Sequence, residues 1–330
     1  MVAKVLSVIG RTMITVGTLL LLFVAYQLWG TGIRTAQAQN RLDDELAQQL
    51  DAADAARDAA GETTTTSTTP EDPTVTTTTR REDPSPVDTL PEELRPQPGA
   101  AVGQIVIPAI GHNWTFVEGV SVANLKNGPG HYPTTPLPGQ AGNAAIAGHR
   151  TTYGAPFGDV DKLVPGDEID ITTVQGTFTY LVRATEVVSP SQTEVLNPDH
   201  WNFDGDPATL ENTLTLTSCH PKYSARQRII IGAELVGQPV PPFPQDAPVT
   251  PHPRVVAFEG DGDDLSGDRA SAWPAILWGL VCALIWFAAW FVGRRRRALK
   301  WPAYIVGIFP FLVALFFFFE NFSRLLPANY

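Results

Sequence analysis

Three long apolar runs constrain how this chain of 330 residues can fold. They lie at residues 13–28, 273–292 and 301–319. A helix needs roughly 20 mostly apolar residues to cross a bilayer, and about 17 at the short end of the range. The second and third runs have that length, and the first approaches it. The sequence therefore predicts an N-terminal transmembrane anchor over residues 1–29 and two C-terminal transmembrane helices at 273–293 and 301–319.

The positive charges near these runs predict an orientation. Four consecutive arginines lie in the loop of residues 294–300, between the second and third runs. Short loops rich in Lys and Arg stay in the cytoplasm. Lys4 and Arg11 keep the N-terminus on the same side, so the two assignments agree. They place residues 30–272 and the tail of residues 320–330 outside, in a multi-pass protein of the cell membrane.

The end of the first run has a second interpretation. Ala36, Gln37 and Ala38 resemble the small-residue cleavage site that follows a secretory signal. The first apolar run is longer than the usual core of about 7–15 residues in such signals, which favours a retained anchor. Both interpretations export the middle of the chain.

Composition divides the exported region into a stalk, a domain and a linker. Residues 30–98 are rich first in Ala and Asp and then in Thr and Pro, which is typical of an extracellular stalk. Its first part has only a thin apolar face, and its threonine-rich part cannot bury enough apolar surface to fold. Residues 238–272 form a linker rich in Pro, Asp and Gly. One folded domain is expected between them, over residues 99–237.

This domain contains strand signals and little helix. Short runs rich in β-branched residues alternate with Gly, Pro and Asn, a pattern that predicts a small closed barrel or a sandwich. The expected strands are 102–107, 144–148, 168–174, 177–188, 213–218 and 228–236. No glycine-rich phosphate loop and no basic groove accompany them, so the sequence gives no support for nucleic-acid binding.

The domain also contains an unpaired cysteine. Cys219 and Cys282 are the only two cysteines, and Cys282 lies in an apolar run, where it is interpreted as a packing residue. Cys219 has no disulfide partner on its side of the membrane, so a reactive thiol is the favoured hypothesis. A strand ending at His149 would deliver that histidine to a barrel rim. The alternative is a plain surface histidine. His220 adjoins Cys219, but neighbours on a strand point to opposite faces.

Two arginines precede the last apolar run. Arg226 and Arg228 are two residues apart, so a strand would place them on one face. The apolar run begins directly after Arg228, which predicts that Arg228 is held by the strand and Arg226 lies in the turn. The alternative is that both are solvated edge charges.

Several motifs together resemble the sortase family. They are "TLTSC" ending at Cys219, "RIIIGA" beginning at Arg228, and "AIAGHR" around His149. The segments "GQIVIPAIG", "GPGHYP", "AGHRTTYGAPF" and "TSCHP" are most similar to class E sortases, the housekeeping type of high-GC Gram-positive bacteria. The resemblance covers residues 102–235. Ser218 departs from the family pattern, which usually has Thr before the cysteine.

The resemblance implies a mainly β fold, an eight-stranded closed barrel with its site at one end. It implies cleavage of a C-terminal LAxTG-like or LPxTG-like sorting signal after Thr and transfer to a peptidoglycan-precursor amine. Cys219 would be the nucleophile, His149 the acid and base, and Arg228 the oxyanion donor. The implied substrate-binding residues are Tyr132, Thr217, Ser218 and His220. The implied partners are secreted proteins with a sorting signal, a lipid-linked peptidoglycan precursor and the membrane, with no nucleic acid.

A calcium site and two other functions are the alternatives to this interpretation. The acidic segment of residues 158–170 invites calcium, which some sortases bind, but it lacks the spacing of an EF-hand loop. No cofactor and no metal are therefore expected. An L,D-transpeptidase would have glycine where Ser218 stands. A catalytically silent wall-associated binding module is disfavoured by the unpaired Cys219.

Overall fold

The computed structural model describes residues 2–59, 94–206, 210–243, 271–296 and 300–325. It divides into two compact units. One comprises Met1–Arg34, Thr152–Gly154 and Glu259–Tyr330, and the other comprises Thr35–Thr151 and Ala155–Phe258. Residues 60–93 of the expected stalk and 244–270 of the expected linker lie outside the described residues.

The first unit is built from helices. Helix α1 (Val2–Ala25) continues through a π-helical turn, Tyr26–Gly30, into α2 (Thr31–Ala59). Helices α4 (Ala272–Arg295) and α5 (Lys300–Leu325) form the C-terminal part, and α5 extends beyond the expected end at residue 319. Among the residues that the structure describes, three helices are long and apolar enough to cross a membrane, within Ile9–Asp58, Ala272–Arg295 and Trp301–Leu325. The predicted apolar helices at both termini are therefore confirmed.

The interior of this unit is apolar. Cys282 is buried with Leu315 and Phe319, as expected for a packing residue. Tyr26 belongs to the same cluster. Glu320 lies at its edge and forms ion pairs with Arg34 and Arg324.

The second unit is a closed barrel of eight strands in the order β1-β2-β3-β4-β7-β8-β6-β5, which confirms the predicted fold. The strands are β1 (Ala101–Ile107), β2 (His112–Glu118), β3 (Gly130–His131), β4 (Asn143–Ala147), β5 (Glu168–Thr173), β6 (Gly176–Val188), β7 (Thr213–His220) and β8 (Gln227–Leu235). A short helix, α3 (Val122–Leu125), precedes β3. Strands β2 and β3 were not expected, because β2 begins with polar residues and β3 has only two residues.

Strands β4, β7 and β8 are buried on both faces. Their inner residues, among them Ile146, Leu216 and Ile231, belong to the barrel core. Their outer face is covered by the β6–β7 connection, where the Trp201 indole N–H donates to the Thr215 hydroxyl at 2.8 Å. Gly232 allows this cover, because a Cβ there would lie 2.5 Å from the Trp201 ring. The threonines of β7 tolerate this burial because their hydroxyls form hydrogen bonds.

Helix α2 corrects the expected extent of the stalk. From Thr35 onward it belongs to the barrel unit, and Leu42 and Leu46 are buried in a cluster with Ala101 and Val117. Residues 35–59 are therefore part of the folded unit and not an exposed spacer. Leu50, four residues further on, packs against the same cluster, and this single row of leucines is why the apolar face looked thin in sequence. The barrel unit also extends past the expected end at residue 237, since Val240 and Phe243 are buried.

Gln39 attaches α2 to the free side of β2. Its Nε2 donates to the carbonyl oxygens of Thr115 (2.8 Å) and Asn127 (2.9 Å). Its Oε1 accepts from the Thr115 N–H at 2.9 Å. The one side-chain amide thus satisfies both backbone groups of Thr115, as a neighbouring strand would do.

We expect Gln39→Ala to lower the stability of the barrel unit by about 1–3 kcal/mol, because it leaves the Thr115 N–H and C=O without these partners. Thermal melting of the full chain in detergent measures the effect. Gln48→Ala, at an exposed position of the same helix, is the matched control and should melt like the parent. Equal melting of the two variants would contradict the assigned role of Gln39.

Candidate active site

Three neighbouring strands end at the same place. Strand β7 pairs in parallel with β4 and antiparallel with β8, and its register places Cys219 opposite Arg228. The ladder continues beyond β4, where the Gly148 N–H donates to the Thr217 carbonyl at 3.0 Å. Neighbouring strands lie about 4.8 Å apart. His149, which follows Gly148, therefore reaches the same end of the sheet as Cys219 and Arg228.

The alternation of side chains along β7 and β8 shows on which face of the sheet Cys219 and Arg228 lie. Thr217 pairs with Ala147 and Ile230, which belong to the cluster on the outer face. Cys219 and Arg228 are each two residues from these positions and share that face. The structure thus agrees with the expectation that Arg228 is held by the strand. Arg226 precedes β8 and is exposed in the turn.

The Cys219 thiol is free and half-buried. Burial raises its pKa, while the nearby charges of Arg228 and Arg150 lower it and offset part of that increase. Since the net shift is upward, the thiol is protonated near neutral pH and needs a base before it can attack.

The His149 imidazole is nearly enclosed, with 9% of its surface exposed. Burial lowers its pKa to about 4, and the charge of Lys126 acts in the same direction. The ring is neutral near pH 7 and is therefore able to accept a proton. A lowered folded pKa also means that the stability linked to neutral His149 is complete above about pH 6.5 and is lost as the pH falls toward 4.

Arg228 is held by backbone groups of the turn before it. Its guanidinium Nη1 donates to the carbonyl oxygens of Ala225 (3.1 Å) and Gln227 (3.2 Å). Arg228 is buried, with 5% of its surface exposed. A planar guanidinium fixed in this way presents its donors in a set direction beside Cys219.

A small pocket adjoins these residues and contains two of the predicted substrate-binding residues. The Tyr132 hydroxyl and the Thr217 hydroxyl are 3.1 Å apart, and burial raises the pKa of Tyr132. The remaining wall is mostly apolar. The lining residues are Tyr132, Val188, Gln192, Thr193, Val195, Leu196, Thr217, Arg228 and Ile230.

Ser218 and His220 do not line this pocket. Ser218 is buried, and its hydroxyl donates to the Gly148 carbonyl at 2.8 Å. It therefore joins β7 to the residue before His149 and does not face a groove, which corrects its expected role. His220 pairs with Gln227 and lies on the strand face opposite Cys219.

His131 of the "GPGHYP" segment was not expected to be a site residue, but it lies in β3 beside the pocket residue Tyr132. It is 2% exposed, and its Nδ1 lies 2.8 Å from the Glu118 carboxylate. Its Nε2 lies 2.9 Å from the Pro136 carbonyl. These contacts fix the backbone on either side of Tyr132, and only the "GHYP" motif pointed to this segment.

The acidic segment of residues 158–170 is occupied by internal contacts. Asp159 pairs with Lys162 (3.0 Å) and Lys222 (3.2 Å), and these lysines, Lys162 first, lower its pKa. Asp161 pairs with Arg150 at 2.8 Å. Within the described ranges, no group of three or more His, Cys, Asp or Glu side chains is placed to hold a metal ion. That this protein needs no metal stays a prediction.

Comparison with known proteins decides the family. A family model described as the sortase domain matches residues 105–236. The chain belongs to the sortase family. The similarity to class E is confirmed by Sortase SrtE1 of Streptomyces coelicolor, which is 31% identical over 238 residues, 69% of this chain and 56% of SrtE1. Sortase SrtE2 of the same organism is 27% identical over 242 residues, 71% of this chain and 83% of SrtE2. The chain thus spans little more than half the length of SrtE1.

Solved sortase structures are also similar to part of this chain. Sortase E1 from S. coelicolor, solved with a tripeptide in its active site, is 31% identical with a TM-score of 0.40, covering 44% of this chain and 93% of that chain. Sortase E from Streptomyces avermitilis is 37% identical with a TM-score of 0.39, covering 43% and 93%. The family assignment replaces the L,D-transpeptidase interpretation.

Ser218 offers a test of the contact that joins the two strand ends. We expect Ser218→Ala to lower the melting temperature by an amount corresponding to about 1 kcal/mol, because the Gly148 carbonyl loses its donor. Ser218→Thr keeps the hydroxyl and should melt close to the parent. Thermal melting measures both variants, and a Thr variant as unstable as the Ala variant would refute the contact.

Proposed function

We propose that the chain is a membrane-anchored sortase that cleaves a C-terminal LAxTG-like or LPxTG-like sorting signal after Thr. The cleaved protein is carried as a thioester on Cys219 and transferred to an amine of a lipid-linked peptidoglycan precursor. The observation that carries the proposal is the convergence of Cys219, His149 and Arg228 at the ends of three adjacent strands of a sortase domain.

The first half-reaction forms the thioester. His149 takes the proton of the Cys219 thiol, and the sulfur attacks the carbonyl carbon of the signal's Thr. The carbonyl oxygen becomes an oxyanion, which Arg228 stabilises with fixed N–H donors. His149 then gives its proton to the nitrogen of the following Gly. The C–N bond breaks and the C-terminal fragment leaves as an amine.

The second half-reaction reverses the proton transfers with a new amine. The acceptor nitrogen attacks the thioester carbon, and His149 removes its proton. The tetrahedral intermediate collapses to an amide and releases the Cys219 sulfur, which recovers a proton from His149. The lowered pKa of His149 suits this cycle, because a protonated ring that is disfavoured by burial returns its proton readily.

The pocket beside Arg228 is our candidate for recognition of the signal. Its apolar wall fits a short apolar side chain, and the hydroxyls of Tyr132 and Thr217 are able to bond a polar group of the peptide. The apolar helices support anchoring in a membrane. Arginines at the end of α4 support a cytoplasmic loop there, and with it a multi-pass topology whose catalytic unit faces the cell wall.

The primary test uses the full chain in detergent with fluorogenic LAxTG and LPxTG peptides. Cleavage should follow addition of peptide, and mass spectrometry should find an acyl adduct on Cys219. Cys219→Ala and His149→Gln should abolish turnover. Cys282→Ala changes the other cysteine, in a transmembrane helix, and should keep normal turnover. Peptide cleavage by the Cys219→Ala variant would rule out the proposed mechanism.

The two arginines give a matched pair. Arg228→Lys removes the planar fork while keeping the charge, so we expect turnover to fall roughly 10²-fold with a small loss of stability. Arg226→Lys, in the exposed turn, should be nearly silent. The transpeptidation rate is measured with thermal melting as the folding control. If Arg226→Lys were the inactive variant, the oxyanion donor would belong to the turn and not to the strand.

A further inference from the structure

Arg150 is a buried cation that the mechanism above does not use. It follows His149, and its side chain is 1% exposed. Its Nη2 pairs with the Asp161 carboxylate at 2.8 Å, but that carboxylate is 48% exposed and shared with solvent. Among the described residues, the Nε and Nη1 of Arg150 have no hydrogen-bond partner. Burying a charge costs several kcal/mol, and one half-exposed partner offsets only part of that cost.

The charge of Arg150 acts on the Cys219 sulfur. The Cys219 thiol interacts electrostatically with Arg228 of β8, Arg150 after β4 and Tyr132 after β3. His149 lies at the same end of the sheet, since Gly148 continues the β4–β7 ladder. Burial raises the pKa of the Cys219 thiol. The charge of Arg228 lowers this pKa most, and the charge of Arg150 lowers it second. Arg228 belongs to β8, and Arg150 lies two residues after Gly148, which continues β4 alongside the other side of β7. Positive charge therefore reaches the sulfur from both sides.

The incomplete pairing of Arg150 has a consequence for the strength of its field. When all donors of a buried cation bond to acceptors, the acceptors screen much of its electric field. Two donors of Arg150 lack such acceptors in the described part of the chain, so its guanidinium keeps a stronger field at the Cys219 sulfur. Low local polarity strengthens that field further. The cost of burying Arg150 is thus matched by an electrostatic effect at the neighbouring thiol.

We propose that Arg150 is a positioning residue of the Cys219 site: its guanidinium, fixed by Asp161, stabilises the negatively charged sulfur that forms when His149 takes the thiol proton. This role deepens the proposed function and rests on Cys219 as its nucleophile. A purely structural role, in which Arg150 only fastens the loop after β4 to the turn at Asp161, makes different predictions for the chemistry of the thiol.

The test measures the rate of Cys219 alkylation by iodoacetamide against pH, because the thiolate is the reactive form. It uses the full chain in detergent with Cys282→Ala, so that Cys219 is the sole thiol. Arg150→Gln should move the midpoint to higher pH and slow alkylation below the midpoint about three- to tenfold, since one pKa unit is a factor of ten. Arg150→Lys keeps the charge and should restore most of the rate. Lys222→Gln removes an exposed cation of the β7–β8 turn and should leave the profile unchanged.

The variant Asp161→Asn tests the same idea from the other side. It removes the counter-charge and leaves Arg150 in place, so the midpoint should move to lower pH. This arm also decides the matter if Arg150→Gln does not fold. A lower melting temperature of Arg150→Gln with an unchanged profile, or an unchanged profile of Asp161→Asn, would overturn the proposal. Alkylation needs no sorting peptide, so shifted profiles without any peptide turnover would reject the proposed function and leave this role of Arg150 standing.

Discussion

The pairing of β7 with both its neighbours is the constraint on which the site depends. A slip of one residue in either ladder would turn Cys219 to the other face and separate it from its partners. The register is specified twice, because Leu216 packs in the barrel core while Thr215 bonds Trp201 on the outer face. The packing that makes the barrel stable thus also aligns His149, Cys219 and Arg228.

Burial and charge act against each other within this aligned group. Burial disfavours ionisation of both reacting groups, raising the pKa of Cys219 and lowering that of His149. Arg228 and Arg150 add positive charge near the sulfur, where the proposed reaction forms an anion. Lys126 adds positive charge near the imidazole, where it makes the protonated ring a stronger acid. In the proposed reaction, these charges favour formation of the thiolate and the later return of the proton to the leaving amine.

A part of the structure could be predicted from sequence when residues close to it in the chain determine it. Strand β7 was expected at residues 213–218 and is found at Thr213–His220, because the alternation of β-branched threonines with leucines is visible in a short window. The placement of Arg228 in the strand and Arg226 in the turn was also predictable, because the apolar run begins directly after Arg228. The role of Ser218 was not, since it depends on which carbonyl the neighbouring strand presents. Strand β3 has two residues and no pattern of its own.

The packing of helix α2 was also not predictable, because its contacts join residues far apart in the sequence. The helix contacts a segment that acts on the site. Its Thr35 hydroxyl donates to the Lys126 carbonyl at 2.9 Å, and Gln39 donates to the Asn127 carbonyl. The helix thus holds the backbone of the segment whose lysine charge acts on His149. None of these contacts is encoded near residue 126, so composition alone assigned the helix to a spacer. Residues 35–59 are accordingly part of the unit that sets the electrostatics of the imidazole, and a barrel beginning at residue 99 would lack them.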